Sequence, residues 1–335
     1  MNILYTCDNN YIWLMGISVI SLFENNMQIE NINVYCLGEN IDLNNKNLLQ
    51  EIARKYKRKI VVLDVPKLDI PEILTSTRWP QSAFTRLYSG QLLSKDLHSI
   101  LYLDCDTIIC GNISDLGNFD SSKYVCYGIK DCISSTYKEN IGLKKDSIYV
   151  NAGVLVLNLD KMREYNIKNE IDEYMKRYLK LINYADQDIL NGIFFNKIGV
   201  LDPKYDVMTI VVAHKYDEII SLRKPTNYYS EEELLLATNK PVIIHYTTNM
   251  RIVRPWYNNT DHPLSNEFRK YYQISPWSNQ VLEEMVFNSN IDSIIGLFEK
   301  FPDKIAYKIL GIIHSIIKPL YVRYKANKSF VIKGE

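Results

Sequence analysis

Ile100-Leu101-Tyr102-Leu103-Asp104-Cys105-Asp106-Thr107 is the stretch whose reading decides the fold. Ile100 to Leu103 is a short, wholly apolar run of the kind that forms a buried strand, and it stops at a carboxylate. Residues i and i+2 of a strand share a face, so Asp104 and Asp106 are expected to aim both side chains at one point. A hard divalent cation such as Mg²⁺ or Mn²⁺ takes oxygen ligands and bridges diphosphates. The same triplet also reads as a solvated loop end; the strand before it and Thr107-Ile108-Ile109 after it favour the metal.

Upstream, the chain alternates two patterns. Asn2 to Cys7 reads as a buried strand ending at Asp8-Asn9-Asn10, Tyr11 to Phe23 has helical spacing, and Ile32 to Leu37 is a second strand. Leu43 to Tyr56 is an amphipathic helix, Ile60 to Val65 a strand closed by Pro66, and Ser82 to Leu93 a further helix. Strand and helix in alternation are the sequence form of a parallel sheet with crossover helices. Such sheets bind ligands at the carboxyl ends of their strands, where Asp8 and Asp104 fall. Downstream, strands are predicted at Tyr124 to Ile129, Val150 to Leu157 and Pro241 to Tyr246, a long helix at Asp160 to Leu181 and a shorter one at Gln187 to Phe195.

Composition sets the limits. The 335 residues are 47% hydrophobic and 23% charged, an ordinary globular balance, and 39 Lys and Arg match 39 Asp and Glu, leaving no global field for nucleic acid. Six scattered cysteines without a C-x-x-C pair read as buried free thiols of a reducing compartment. No basic signal-type start and no apolar run of about 20 residues is present, so the expected location is cytoplasmic. No G-x-G-x-x-G, Walker A loop or G-x-S-x-G elbow occurs, which sets aside dinucleotide oxidoreductases, P-loop NTPases and α/β-hydrolases.

Four further segments carry polar chemistry. Asn151-Ala152-Gly153 opens an apolar strand with small residues that let a ligand approach the backbone. Asp186-Gln187-Asp188 starts a helix, where acids are usually caps, but the amide between them suits a polyhydroxylated ligand. His245 ends a late strand, close to a third metal ligand if it meets the acidic pair, and Arg251 and Arg254 follow it as candidate phosphate clamps. From about Asp261 the pattern turns helical, Ile-rich and basic. Between Phe301 and Glu335 seven basic residues stand against two acids, and Ile305, Ile309, Ile312, Ile313, Ile316 and Leu320 fall near one face. That suits an interfacial helix on anionic lipid at the inner face of a membrane, or a packed helix with a solvated basic face; Pro319 and Gly311 weigh against the first.

In these motifs and their order the chain resembles glycosyltransferase family 8, in particular bacterial enzymes that extend lipopolysaccharide or other surface glycans with galactose or glucose. The likeness rests on Thr6-Cys7-Asp8-Asn9-Asn10-Tyr11, Phe84-Thr85-Arg86-Leu87, Tyr102 to Asp106, Asn151-Ala152-Gly153-Val154, Asp186 to Asn191, His245-Tyr246 and Arg254-Pro255-Trp256. The likeness runs from residue 1 to about residue 257 and implies a single Rossmann-like α/β domain of glycosyltransferase A type with a mixed, mostly parallel sheet, taken as residues 1–260; the helical, basic pattern of 261–335 is read as an extension beyond it. The likeness also implies retaining transfer of a hexose from a UDP-sugar to a glycan or glycoprotein. By position, Asp8 and Asn10 with the Thr6 backbone would hold uridine. Asp104, Asp106 and His245 would ligate Mn²⁺ or Mg²⁺, with Cys105 beside the donor. Arg86, Asn151, Ala152, Asp186 and Gln187 would line the sugar pocket, and Asp131 would face the acceptor. Gln187 is the group expected nearest the anomeric carbon, and Asp186 and Asp188 are the candidates for a covalent route. The loop after His245 departs from the family: it is longer, lacks a glycine and has Arg for Lys before Pro-Trp, which leaves Arg251 and Arg254 both open for the diphosphate. Two other readings fit the same residues, a self-glucosylating initiator of glycogenin type and a non-catalytic sugar-nucleotide-binding protein.

Overall fold

The computed structural model describes residues 1–68, 70, 80–249, 252–286 and 301–331. Seven strands form one sheet in the order β3-β2-β1-β4-β7-β6-β8. They are β1 (Asn2–Asp8), β2 (Asn33–Glu39), β3 (Lys59–Asp64), β4 (Ser99–Leu103), β6 (Cys126–Lys130), β7 (Val150–Asn158) and β8 (Ile198–Val200). β1 pairs in parallel with both β2 and β4, and β7 runs antiparallel between β4 and β6. The sheet is therefore mixed and mostly parallel, as expected.

Alternation along the strands explains the layers. Ile3, Tyr5 and Cys7 of β1 and Leu101 and Leu103 of β4 join one core, with the apolar helix α1 (Ile12–Asn25). Leu4, Ile100 and Tyr102 point into the other, under the helices Ile167–Tyr178 and Ala185–Ile193. Two expected helices are broken. Ser82 to Leu93 forms Gln81–Thr85, a tight turn Arg86–Tyr88 and Ser89–Leu92. Asp160 to Leu181 divides because Asn166 caps a new helix, its side chain accepting from the amide of Asn169.

A second sheet was not foreseen. β5 (Thr107–Ile109) pairs antiparallel with β10 (Ile243–His245), which pairs in parallel with β9 (Val207–Met208). These strands have two or three residues each, too short to show a period. Their register sets His245 opposite Thr107, one residue past Asp106.

Packing does not change at Asp261. The helix Ser265–Gln273 puts Phe268, Tyr271 and Tyr272 into the same core as α1, and Trp277 lies on Gly16 of α1, where any Cβ would collide with its ring. The last helical stretch comprises Asp303–Ile312, a single π-turn at Ile313–Ile317 and Lys318–Val331. Its two irregular residues are docking devices. A Cβ on Gly311 would strike the carbonyl of Ser221. Pro319 has no N–H to give the carbonyl of Ser315, one turn back, and Ser134 Oγ donates to that oxygen instead at 2.9 Å. Asn140 Nδ2 donates to the Pro319 carbonyl at 2.8 Å.

Candidate active site

The strand β4 stops at Leu103, and Asp104-Cys105-Asp106 is a turn rather than a continuation of the strand. The Asp104 carbonyl accepts from the amide of Thr107 and from Thr107 Oγ1 at 2.7 Å. Cys105 turns inward, its thiol 3.6 Å from the Thr6 carbonyl, while both acids face outward. The two carboxylates thus converge through a turn, not through strand alternation. His245 closes the group: its Nε2 is 3.2 Å from Asp106 Oδ1 and 3.7 Å from Asp104 Oδ2. One ligand atom from each of the three lies within 4.8 Å of the others.

What holds His245 was not read from the sequence. Its Nδ1 donates to Asp206 Oδ1 at 2.9 Å, on a carboxylate that is fully buried and whose other oxygen has no hydrogen-bond partner. A carboxylate behind a histidine fixes the ring so that Nε2 faces the acids, the support that metal-binding histidines ordinarily have. No pattern around Lys204-Tyr205-Asp206 marked this residue. Gly153, expected to admit a ligand, instead admits the imidazole: a Cβ there would collide with His245 Cε1. Burial works against the charged ring, but Asp106 and Asp206 overcome it and hold His245 well above the usual histidine range. Burial would likewise raise Asp106, and the charge of His245, with Arg254 adding to it, pulls it below the usual carboxylate range. Two carboxylate oxygens and one imidazole nitrogen, backed by a buried acid, form a donor set that suits a divalent metal ion.

Beside this group lies a second one built on Arg86, which is nine-tenths buried in the tight turn Arg86–Tyr88. Its guanidinium meets Asp104 Oδ1 at 2.9 Å and Asp186 Oδ2 at 3.0 Å, donates to the Ala152 carbonyl at 2.6 Å and stacks on Tyr102. Burial opposes its charge and the two carboxylates restore it, leaving Arg86 above its ordinary value. Tyr102, quoted in the motif but given no role there, donates to Asp104 Oδ1 at 2.6 Å and takes a bond from Thr6 Oγ1 at 3.1 Å. That chain ties the end of β1 to the acidic turn. Asp8 also lies at the end of β1, its side chain accepting from the amides of Asn10 and Tyr11, and Asn10 is exposed in the loop beyond.

The helix Ala185–Ile193 supplies the third group. Ala185 takes a left-handed φ of 45°, a strained conformation for a residue with a Cβ, immediately before Asp186. Burial pushes Asp186 up to about 6, with Arg86 offsetting part of it. Gln187 Nε2 donates to Asp131 Oδ2 at 2.9 Å and its Oε1 accepts from the Ala152 amide at 3.1 Å. Asn151 Nδ2 reaches the same Asp131 oxygen at 3.3 Å, so Asp131, Asn151, Ala152 and Gln187 form one connected wall. Asp188 is different and corrects the expectation of a second nucleophile. It is fully buried, and its oxygens accept from the hydroxyls of Tyr137 and Tyr149 and the amides of Asn183 and Tyr184. It pins the helix entrance and offers nothing to a ligand. Arg254 stacks on Trp256 and lies 3.7 Å from Asp106 Oδ2. Arg251 lies outside the described residues.

Comparisons with known proteins bear on the family and the fold. A family model described as glycosyl transferase family 8 matches residues 2–260. A lipopolysaccharide 1,2-glucosyltransferase of Escherichia coli is 28% identical over 83% of this chain and 79% of its own length. A lipopolysaccharide 1,3-galactosyltransferase of Salmonella typhimurium (strain LT2) is 23% identical over 84% of this chain and 80% of its own. Among solved structures, the galactosyltransferase LgtC in complex with donor and acceptor sugar analogues superposes with a TM-score of 0.68 at 21% identity, covering 88% of this chain and 99% of that one.

Proposed function

Since the chain belongs to glycosyltransferase family 8, we propose that it is a retaining, metal-dependent hexosyltransferase that moves galactose or glucose from a UDP-sugar to a surface glycan. The observation that carries this reading is the meeting of Asp104, Asp106 and His245 beside the Arg86, Asp186 and Gln187 groups. When bound there, Mn²⁺ or Mg²⁺ supplies Lewis-acid stabilisation of the leaving diphosphate. The chain's own residues do the rest. Arg254, set by its stack on Trp256, is placed to clamp phosphate oxygens. Asp8 and Asn10 take uridine at the end of β1. Asn151, Gln187 and the Ala152 backbone orient the sugar, and Asp131 faces the acceptor.

In the reaction the bond between the anomeric carbon and the β-phosphate oxygen breaks, and UDP leaves with the electron pair. The acceptor hydroxyl forms the new bond on the same face and gives its proton to a leaving phosphate oxygen. An amide is a poor nucleophile, so Gln187 supports an oxocarbenium-like centre without bonding to it. With Asp188 enclosed, Asp186 is the remaining acid for a covalent route. The deciding experiment offers UDP-galactose and UDP-glucose with Mn²⁺ and with a chelator, following UDP release and the anomeric signal of the product by NMR. Expected is metal-dependent release with one donor preferred and configuration kept. Silence with every UDP-hexose, or inversion, sinks the proposal.

The last helix supports extending the reading to a membrane surface. Its inner face is small or backbone-paired (Ala306, Gly311, Ser315, Pro319, Ala326), while Ile305, Ile309, Ile312, Ile313, Ile316, Ile317 and Leu320 are exposed. Lys304, Lys308, Lys318, Lys325 and Lys328 are exposed along the same stretch. Lys304–Lys328 is long and apolar enough to cross a bilayer, but crossing would break its bonds to Ser134 and Asn140. Lying in the interface of an anionic membrane keeps those bonds and covers the isoleucines. Cosedimentation with phosphatidylglycerol vesicles is expected to fall about tenfold or more for Ile312→Glu/Ile316→Glu, each buried isoleucine contributing ~1.5–3 kcal/mol. Equal binding by the two proteins would refute it.

A further inference from the structure

The π-turn Ile313–Ile317 of the last helix bonds to the body on two sides. On one side, Ser315 Oγ donates to the carbonyls of Leu222 and Arg223 at 3.1 and 2.9 Å, at the end of the helix Tyr216–Arg223. On the other, the Ser315 carbonyl takes its bond from Ser134, whose hydroxyl also caps the helix Ser135–Asn140. That short helix lies just after Asp131 and is gripped again at its far end. Asn140 holds the Pro319 carbonyl, and Arg323 Nε donates to Asn140 Oδ1 at 2.7 Å. An extra residue in a helical turn is uncommon and recurs at functional sites.

Arg223 joins the two sides. Its guanidinium donates to the Tyr184 side chain, and its Nη1 donates to His314 Nε2 at 3.1 Å. Guanidinium only donates, so that nitrogen accepts and the ring is neutral with its proton on Nδ1. Burial, then Arg223 and Lys318, push His314 down to about 4, which suits a neutral ring. Burial opposes the charge of Arg223, and Cys132, Tyr184 and Asp131 outweigh it and hold the group above its ordinary value. Arg223 thus meets the last helix, the entrance of the helix Ala185–Ile193 and the charge of Asp131.

These connections do not weigh equally on the two halves of the site. The donor half has an anchor of its own, because Asp188 holds the helix entrance through Tyr137, Tyr149 and two amides. The segment that follows Asp131 leans on the extension. It is held by the Ser134 bond to the π-turn, by the Asn140 bond to Pro319 and by the Thr226 amide, which donates to the Ile133 carbonyl at 3.3 Å just beyond Arg223.

We infer that Arg223 is a positioning residue for the acceptor and that the last helix sets it through His314. The role rests on the glycosyltransferase reading; the bond between Arg223 and His314 does not. Seated on His314, the guanidinium faces Asp131 and keeps the adjoining segment in one arrangement, so that the attacking hydroxyl meets the anomeric carbon at the right distance. Misplacing an oriented reactant by ~1 Å can cost about 10²-fold. The extension then takes part in acceptor handling, whatever its outer face rests on.

The test compares full chains. His314→Leu removes the acceptor of the guanidinium, and His314→Gln keeps one in its amide oxygen. Two rates are measured with Mn²⁺ and the UDP-hexose that the wild type prefers: UDP release to water, and UDP release accelerated by a panel of neutral and lipopolysaccharide-core oligosaccharides. His314→Leu is expected to lower kcat/KM for the oligosaccharide about tenfold or more, as loss of one charge-assisted bond implies, and to leave release to water within about twofold. His314→Gln should recover most of the transfer. Ser315→Ala, which frees the Arg223 carbonyl, should move transfer in the same direction and gives the answer if His314→Leu fails to fold. Equal loss of both rates, or unchanged transfer, overturns the role, since a merely structural contact damages both rates or neither. Release that no oligosaccharide accelerates also overturns it. No release from any UDP-hexose withdraws the glycosyltransferase reading and the acceptor role with it. The bond is judged apart from activity, by ¹⁵N imidazole NMR near neutral pH. A neutral ring protonated on Nδ1 is expected; a doubly protonated ring, or one protonated on Nε2, breaks the link between the last helix and Arg223.

Discussion

Asp106→Asn, or Asp104→Asn, is expected to lower metal-dependent release of UDP from the donor by about 10²–10³-fold, the loss typical of removing one electrostatic contact at a developing charge. Each carboxylate is one of three groups whose ligand atoms lie within 4.8 Å, and an amide is a weaker ligand for a hard cation. The fold should survive. The backbone of the turn is held by the Asp104 and Asp106 carbonyls and the Asp104 amide, but the Asp104 carboxylate also pairs with Arg86 and accepts from Tyr102, so Asp106→Asn is the variant that tests the metal with the fold intact. Near-wild-type circular dichroism and a nearly unchanged urea midpoint for Asp106→Asn, with turnover reduced to that of chelator-treated wild type, are the expected pair of results; Asp104→Asn should also lower the midpoint, since it removes a partner of Arg86. Turnover within a few-fold of wild type in Asp104→Asn/Asp106→Asn, still responding to Mn²⁺, would remove the metal assignment.

Arg86→Ala should do the opposite and damage the fold itself. The guanidinium stands between Asp104 and Asp186 and on the face of Tyr102, almost out of contact with water. Removing one partner of a buried pair leaves the other charge uncompensated, at a cost of ~3–5 kcal/mol. Here two carboxylates and the Ala152 carbonyl are stranded. The urea midpoint should fall accordingly. Adding Asp186→Asn should restore part of it, because the stranded charge is then gone, so the double variant is more stable than the single one. A double variant that is less stable than Arg86→Ala would show that the pair is not where the energy lies.

The sequence carried the sheet because its strands are long enough to show their pattern. β1, β2, β3, β4 and β7 each have five to nine residues and read as apolar runs closed by polar loops. It did not carry β5, β9 or β10 as a sheet, because two or three residues have no period. Yet that sheet is what brings His245 to the acidic turn. The candidate metal ligands were legible as residue types in order; their meeting was not, and neither was Asp206, a lone acid without a motif. Asp188 shows the converse. Its place beside Gln187 looked chemical, and only the positions of Tyr137 and Tyr149, from two other segments, reveal a buried anchor. Pro319 and Gly311 have a packing role that the sequence did not show, for a related reason. They count against a free amphipathic helix, but they are required where a helix backbone must touch another chain segment.

If the outward apolar face of the last helix rests on a membrane as proposed, it also changes how the protein would find its acceptor. A chain that lies on a bilayer carrying its acceptor searches an area, not a volume. Turnover would then follow the number of acceptor molecules per unit of membrane and would saturate with surface crowding, largely independent of how much protein or glycan the surrounding solution contains.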